Sequence, residues 1–177
     1  SLPWIRAVVA LLAAGAVLRE QLWKERWPSH PKFVLATLGV TAILGLWCFL
    51  NLGTPQFHDV GAKRATWLHH YDMRTYYPIA KYFPELRFDG VYAASVLAVA
   101  EGRDLSLFDA QPVRDLRTHI LTTVRASRAH LAEVRGRFSP ERWAMFLSDM
   151  AYFRRAMGDG GFLNSMNDHG GNATPVW

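Results

Sequence analysis

Two tandem histidines, His69 and His70, followed by Asp72, form the densest run of groups in this sequence that could ligate a metal or move a proton. His58 and Asp59 stand shortly upstream, and Asp168 with His169 far downstream. A metal centre needs several donors converging on one point, each imidazole oriented by a further hydrogen bond. Neighbouring residues on a helix point about 100° apart, so a regular helix would turn His69 and His70 away from a shared ion. No metal site is therefore expected, and His69 and His70 rank only as weak candidate ligands. Nucleophilic and phosphate chemistry have less to stand on, because the sequence holds no G-x-S-x-G elbow, P-loop or G-x-G-x-x-G. The single cysteine, Cys48, allows neither an internal disulfide nor a C-x-x-C-H haem site. It lies in an apolar run with no histidine to serve as the usual axial ligand for a haem or chlorin, and no cofactor is expected.

These groups have to be positioned by a chain whose polarity changes near Gly53. The stretch FVLATLGVTAILGLWCFLNLG, 33–53, contains no charged side chain. At ~1.5 Å per residue, twenty such residues cover the ~30 Å hydrocarbon core of a bilayer. It reads as one clear transmembrane helix, with Phe33, Trp47 and Phe49 as anchors near its ends. An earlier run, AVVALLAAGAVL, 7–18, is shorter and is flanked by Arg6 and Arg19. Spanning with it means burying a charge. A second, shorter membrane helix, a re-entrant or surface-lying helix, and a first span truncated at its start all remain open. Trp23 and Trp27 beside Lys24 and Arg26 suit an interfacial anchor. Arg19, Lys24, Arg26 and Lys32 precede the span, and no Lys or Arg follows it until Lys63, so the positive-inside rule puts the rest of the chain outside the cytoplasm. The expected organisation is a membrane-associated helix and basic loop over 1–32, a transmembrane helix over 33–53, and an extracytoplasmic helical domain over 54–177.

In that domain the fold class is mainly α. ATWLHHYDMRTYYPIAKYF places aromatic residues at helical spacing, with Pro78 and Pro84 expected to kink or end short helices. DGVYAASVLAVAEG, 89–102, reads as a packed helix, and SLFDAQPVRD after it as a loop. The spacing of Leu116, Ile120, Val124, Leu131 and Val134 predicts an amphipathic helix from Val113 to Gly136, with Arg114, Arg117, Arg125, Arg128 and Arg135 largely on its solvated side. Ser139, Pro140 and Glu141 mark a helix start. Trp143, Phe146, Leu147, Met150, Phe153 and Met157 then form a stripe expected in the core, Gly158 is expected to stop the helix, and the glycine-rich remainder reads as a tail. No alternating stretch is long enough to predict a sheet. The chain has a net charge of +5, with sixteen arginines among its twenty basic residues, but no basic stripe of the kind nucleic-acid binding uses.

HYDMRTYYPIAKYFPELRFDGVY, 70–92, is the most individual stretch. It resembles the first extracytoplasmic loop of large bacterial polytopic membrane proteins of glycosyltransferase-like type. RDLRT, FSPERW and DHGGNATPVW look like further pieces of that loop, so the resemblance covers most of 58–177. It implies that an acidic residue early in the loop acts as base toward the acceptor, with Asp72 the first match and Asp59 the second. It also implies an acceptor surface formed by His70, Asp72, Tyr76, Tyr77, Lys81 and Glu85. In that family further spans hold the lipid-linked donor, and positioning donor against acceptor supplies much of such catalysis. The leading expectation for this chain is accordingly a non-catalytic accessory subunit. It would sit in a bacterial inner or intracytoplasmic membrane, its main domain on the periplasmic side, and stabilise a larger respiratory or photosynthetic complex. Its partners would be integral membrane protein subunits and membrane lipids, with no nucleic acid. The competing expectation is the N-terminal part of a polytopic glycosyltransferase-like enzyme.

Overall fold

The computed structural model describes residues 2–23, 25, 26 and 30–172. Trp27, Lys24 and the last five residues of DHGGNATPVW lie outside them. The chain divides into two compact units, Ser1–Gln56 and Phe57–Trp177. It is 67% helical, so the mainly α expectation holds.

The first unit is a helical hairpin. Helix α1 runs over Leu2–Leu22 and α2 over Pro31–Phe49. The twelve-residue run expected at 7–18 is thus the middle of a helix of 21 residues. The charges at its margins did not end it because Arg6 finds a partner. Its Nε and Nη2 donate to the Cys48 carbonyl at 3.2 and 2.9 Å. That carbonyl belongs to the last turn of α2, where backbone oxygens lack helical partners and the helix dipole favours a cation. With Arg6 beside Cys48 and Leu11 to Glu20 beside Phe33, Val34 and Thr37, the helices run antiparallel. They meet along small side chains: Ala13 and Ala16 on α1, and Thr37, Thr41 and Gly45 on α2, with Cys48 buried at the end. Helix α2 is long and apolar enough to cross a membrane, with a mean hydropathy of 1.8. Phe33, Trp47 and Phe49 project from it into the surroundings, as does Trp23 beyond α1. After Phe49 the backbone turns sharply through Asn51 and Leu52, both with positive φ, and Asn51 Nδ2 donates to the Thr54 carbonyl to hold the turn.

The second unit opens with a short hairpin, β1 (Phe57–Asp59) against β2 (Arg64–Thr66). Helices α3 (His70–Lys81), α4 (Phe83–Leu86) and α5 (Val91–Ala100) follow. A 3-10 turn at Leu105–Phe108, a second hairpin of β3 (Pro112–Asp115) and β4 (Ile120–Thr123), and helices α6 (Arg128–Gly136) and α7 (Pro140–Asn164) complete the core. Helix α5 is apolar on every side, and eight of its residues, from Val91 to Ala100, are buried. Such a helix has no solvent face to offer and must be wrapped. The other elements each turn one apolar side to it or to the aromatic group beside it. There the Tyr82 ring meets Phe146 edge-on at 5.2 Å, and Trp143 stacks on Phe146 at 5.5 Å.

Several expectations need correction. The stretch 113–127 is not helical. It forms β3, a turn and β4, and the helix begins only at Arg128. The four-residue spacing of apolar side chains is overridden by the turn, where the Asp115 carboxylate accepts from the Arg117 amide at 2.9 Å and His119 adopts a φ of 59°. Both hairpins have strands of three or four residues, too short to show a period in the sequence. Of the two outcomes expected for the prolines, ending a helix does not occur: Pro78 sits inside α3 and Pro84 in the first turn of α4. Gly158, at φ 73°, does interrupt the helix, but helical turns resume beyond it through Asn164, where a tail was expected. The start at Ser139 is as expected, its hydroxyl accepting from the Arg142 amide at 3.2 Å. Phe146→Ala is expected to cost about 3–5 kcal/mol in urea unfolding of the full chain, since it empties a fully buried aromatic site. Leu107→Ala, at a site 75% exposed, is expected to stay within about 0.5 kcal/mol.

Candidate functional site

Of the titratable side chains singled out in the sequence, His70, Asp72, Tyr76, Tyr77 and Lys81 lie on α3, where they divide between its two sides, while Asp59 comes from β1 and Glu85 from α4. His70 begins the buried side. Its Nε2 lies 3.3 Å from the Tyr152 hydroxyl and 3.8 Å from Asp59 Oδ2, while its Nδ1 is buried without a hydrogen-bond partner among the described residues. Asp59 ends β1, and its Oδ1 accepts from the Ala62 amide at 2.8 Å. The hairpin is pinned to α7 by the Val60 amide, which donates to the Ala156 carbonyl at 2.8 Å. Gly61 passes so close to the Arg155 carbonyl that a β-carbon would lie 2.6 Å from it. The result is a cleft of about 430 Å³ lined by Asp59, Gly61, Ala62, Tyr152, Arg155 and Ala156.

Asp72 is elsewhere. It projects from the first turn of α3 into solvent, 54% exposed, with its Oδ2 2.6 Å from His69 Nδ1. The Phe57 ring stacks on His69 at 4.3 Å and fixes that imidazole on the surface. His69 and His70 therefore diverge, and among the described residues no three His, Cys, Asp or Glu side chains converge as metal ligands.

At the far end of α3, Lys81 Nζ donates to Asp149 Oδ2 at 2.8 Å and to the Tyr77 hydroxyl at 3.0 Å. The Tyr82 hydroxyl donates to the same Asp149 oxygen at 2.6 Å. Hydrogen bonding to Asp149 raises the Lys81 pKa, and burial, aided by Asp149, pushes the Tyr82 phenol up to about 12. A cleft of about 300 Å³ lies beside this network, lined by Leu68, Met73, Tyr77, Asp149, Tyr152 and Phe153. Tyr76 is partly exposed next to Tyr77. Glu85 is not in that cleft. Arg142 holds it in a two-point pair at 2.6 and 3.1 Å, and this pairing lowers its pKa.

The structure thus brings Asp59 to His70 and Tyr77 to Lys81, while Asp72 and Glu85 stand apart from both. Sequence reasoning missed Asp149, Tyr152, Arg142 and Arg155. All four lie on α7, off the apolar stripe and 57 to 94 residues from their partners, and no local pattern marks them. Chemically, the Asp59 cleft offers a carboxylate backed by a buried imidazole, an arrangement that can accept a proton from a hydroxyl. Comparison with protein-family models, curated proteins and solved structures found no match to this chain.

Asp149→Ala leaves the Tyr82 hydroxyl without its acceptor and the Lys81 ammonium with only the Tyr77 hydroxyl, and is expected to lower stability by about 1–3 kcal/mol. Asp72→Asn is expected to change it by less than about 0.5 kcal/mol, because its pair is exposed. Urea unfolding of both variants beside the parent chain checks the pair. The folded-state pKa of Glu85 is depressed, so its contribution is present at neutral pH and is lost as the pH falls through the glutamate range. In Glu85→Gln, unfolding curves from pH 7 to 3 should show a correspondingly shallower acid loss.

Proposed function

We propose that this chain is a membrane-anchored accessory subunit, held in a bacterial inner membrane by its helical hairpin and packed against integral membrane subunits of a larger complex. The observation that carries this reading is the surface of the hairpin. Only 11% of the apolar window of α2 is covered, and Leu35, Ile43 and Phe49 stand out from it. Between the helices lies a groove of about 620 Å³ lined by Arg6, Val9, Ala10, Ala13, Thr41 and Gly45, among others. Small residues let helix backbones approach closely, which is how helices associate where lipid removes the hydrophobic drive. A third helix from a partner subunit would seat there, with lipid on the remaining apolar faces. The basic residues before α2 orient the second unit to the periplasmic side. Respiratory and photosynthetic assemblies are the hosts we favour.

A second reading is favoured by the Asp59–His70–Tyr152 cluster. If the chain belongs to a polytopic glycosyltransferase-like enzyme, as its α3 segment resembles, Asp59 is the better base than Asp72. Its side chain is 15% exposed, faces a cleft and has an imidazole behind it, whereas Asp72 is held by His69 in open solvent.

Mild-detergent extraction from native membranes, size separation and mass spectrometry test the first reading. Co-migration with a stoichiometric membrane complex is expected, and Gly45→Leu, whose β-carbon meets no atom of the chain within 4 Å and whose branch would occupy groove space, should abolish it. Migration of the parent chain by itself would sink the subunit reading. Loss of glycosyl transfer in Asp59→Asn but not in Asp72→Asn would establish the second.

A further inference from the structure

Arg74 lies one turn beyond His70 on α3 and is fully buried. Its Nε, Nη1 and Nη2 have no hydrogen-bond partner among the described residues. The guanidinium packs against two rings, 4.9 Å from the Tyr92 centroid and 5.2 Å from that of Phe162. The Tyr92 hydroxyl is likewise buried and unpartnered. Asp168 is the carboxylate that acts on Arg74 through space, but it is exposed, makes no hydrogen bond to it, and accepts instead from the His169 amide at 2.7 Å. Burial pushes the Arg74 pKa down to about 10, which still leaves the group charged at neutral pH.

A buried charge is ordinarily paired, because taking it out of water without a counter-ion is strongly unfavourable. Aromatic faces offset part of that cost. They leave the N–H donors unused, and water in their place would supply hydrogen bonds but no opposing charge. What fits a guanidinium edge is a planar two-oxygen acceptor. We propose that Arg74 and the Tyr92 hydroxyl bind a small carboxylate ligand beneath the 3-10 turn Gly170–Asn172. Gly171 forms the cover: a β-carbon there would lie 2.5 Å from Tyr92 Cζ and 2.9 Å from Leu116 Cδ1, so the chain rests directly on the ring. Lifting this turn, which carries no β-carbon at two of its three positions, opens a path to the donors. The site depends on neither reading of the chain's function.

The test uses the full chain in nanodiscs, with sodium acetate as probe and sodium phosphate and sodium chloride at equal ionic strength as references. Acetate at ten times its dissociation constant is expected to raise the Tm by roughly 5 °C over chloride in the parent chain. In Arg74→Met, which replaces the charge with an apolar chain of similar length, the same addition should raise it by no more than about 1 °C. The Arg74 Nε–Hε resonance of the parent chain should shift with acetate on the same binding curve, a readout that needs no variant. Absence of both the Tm rise and the resonance shift overturns the proposal. A response to phosphate as strong as that to acetate overturns the assignment to carboxylate.

Discussion

Helix α5 sets the terms for the second unit. A ten-residue helix with apolar side chains on every face can exist in water only if it is enclosed, and one neighbour cannot enclose it. Helices α3, α6 and α7 and the hairpin β3–β4 surround it, each supplying the apolar side that its own sequence has to bury. Their outward sides then carry the charges, and these are arranged in pairs: Arg142 with Glu85, Arg137 with Asp89 and Glu133, Arg125 and Arg128 with Asp109. The arginine-rich composition is explained there. A guanidinium can hold a carboxylate at two points and lie flat on a ring, as Arg142 does on Tyr82 and Arg135 on Trp143.

What the sequence could reveal followed the length of its periods. The α2 span, α5 and the start of α7 were legible because each has a long uniform run or a strong cap, such as Ser139-Pro140-Glu141. The stretch from Val113 to Ser127 misled because apolar residues four apart occur on either side of a tight turn as readily as along a helix. Strands of three or four residues give no alternation to count, so both hairpins were illegible. Of the candidate site, one half was visible. The α3 residues lie together in sequence and drew attention as a group, but Asp149, Tyr152 and Arg142 reach them from α7 through tertiary folding alone.

The structure also gives the carboxylates different surroundings. The family resemblance put Asp72 first and Asp59 second, yet helix geometry turns Asp72 outward. Asp59, three residues inside the second unit, is carried to His70 by a hairpin anchored to α7. Burial, rather than sequence adjacency, decides which acidic group has an environment of its own.

The bond from Arg6 to the Cys48 carbonyl has a mechanical side. A helix packed through small, smooth side chains has little to stop it sliding along its neighbour. Displacing α1 by one turn, about 5.4 Å, would carry the guanidinium off the free carbonyl end of α2 and onto oxygens already engaged in the helix. Arg6 therefore acts as a detent. One longitudinal alignment of the two helices is thereby distinguished from its neighbours a turn away, because only there does the guanidinium meet the Cys48 carbonyl.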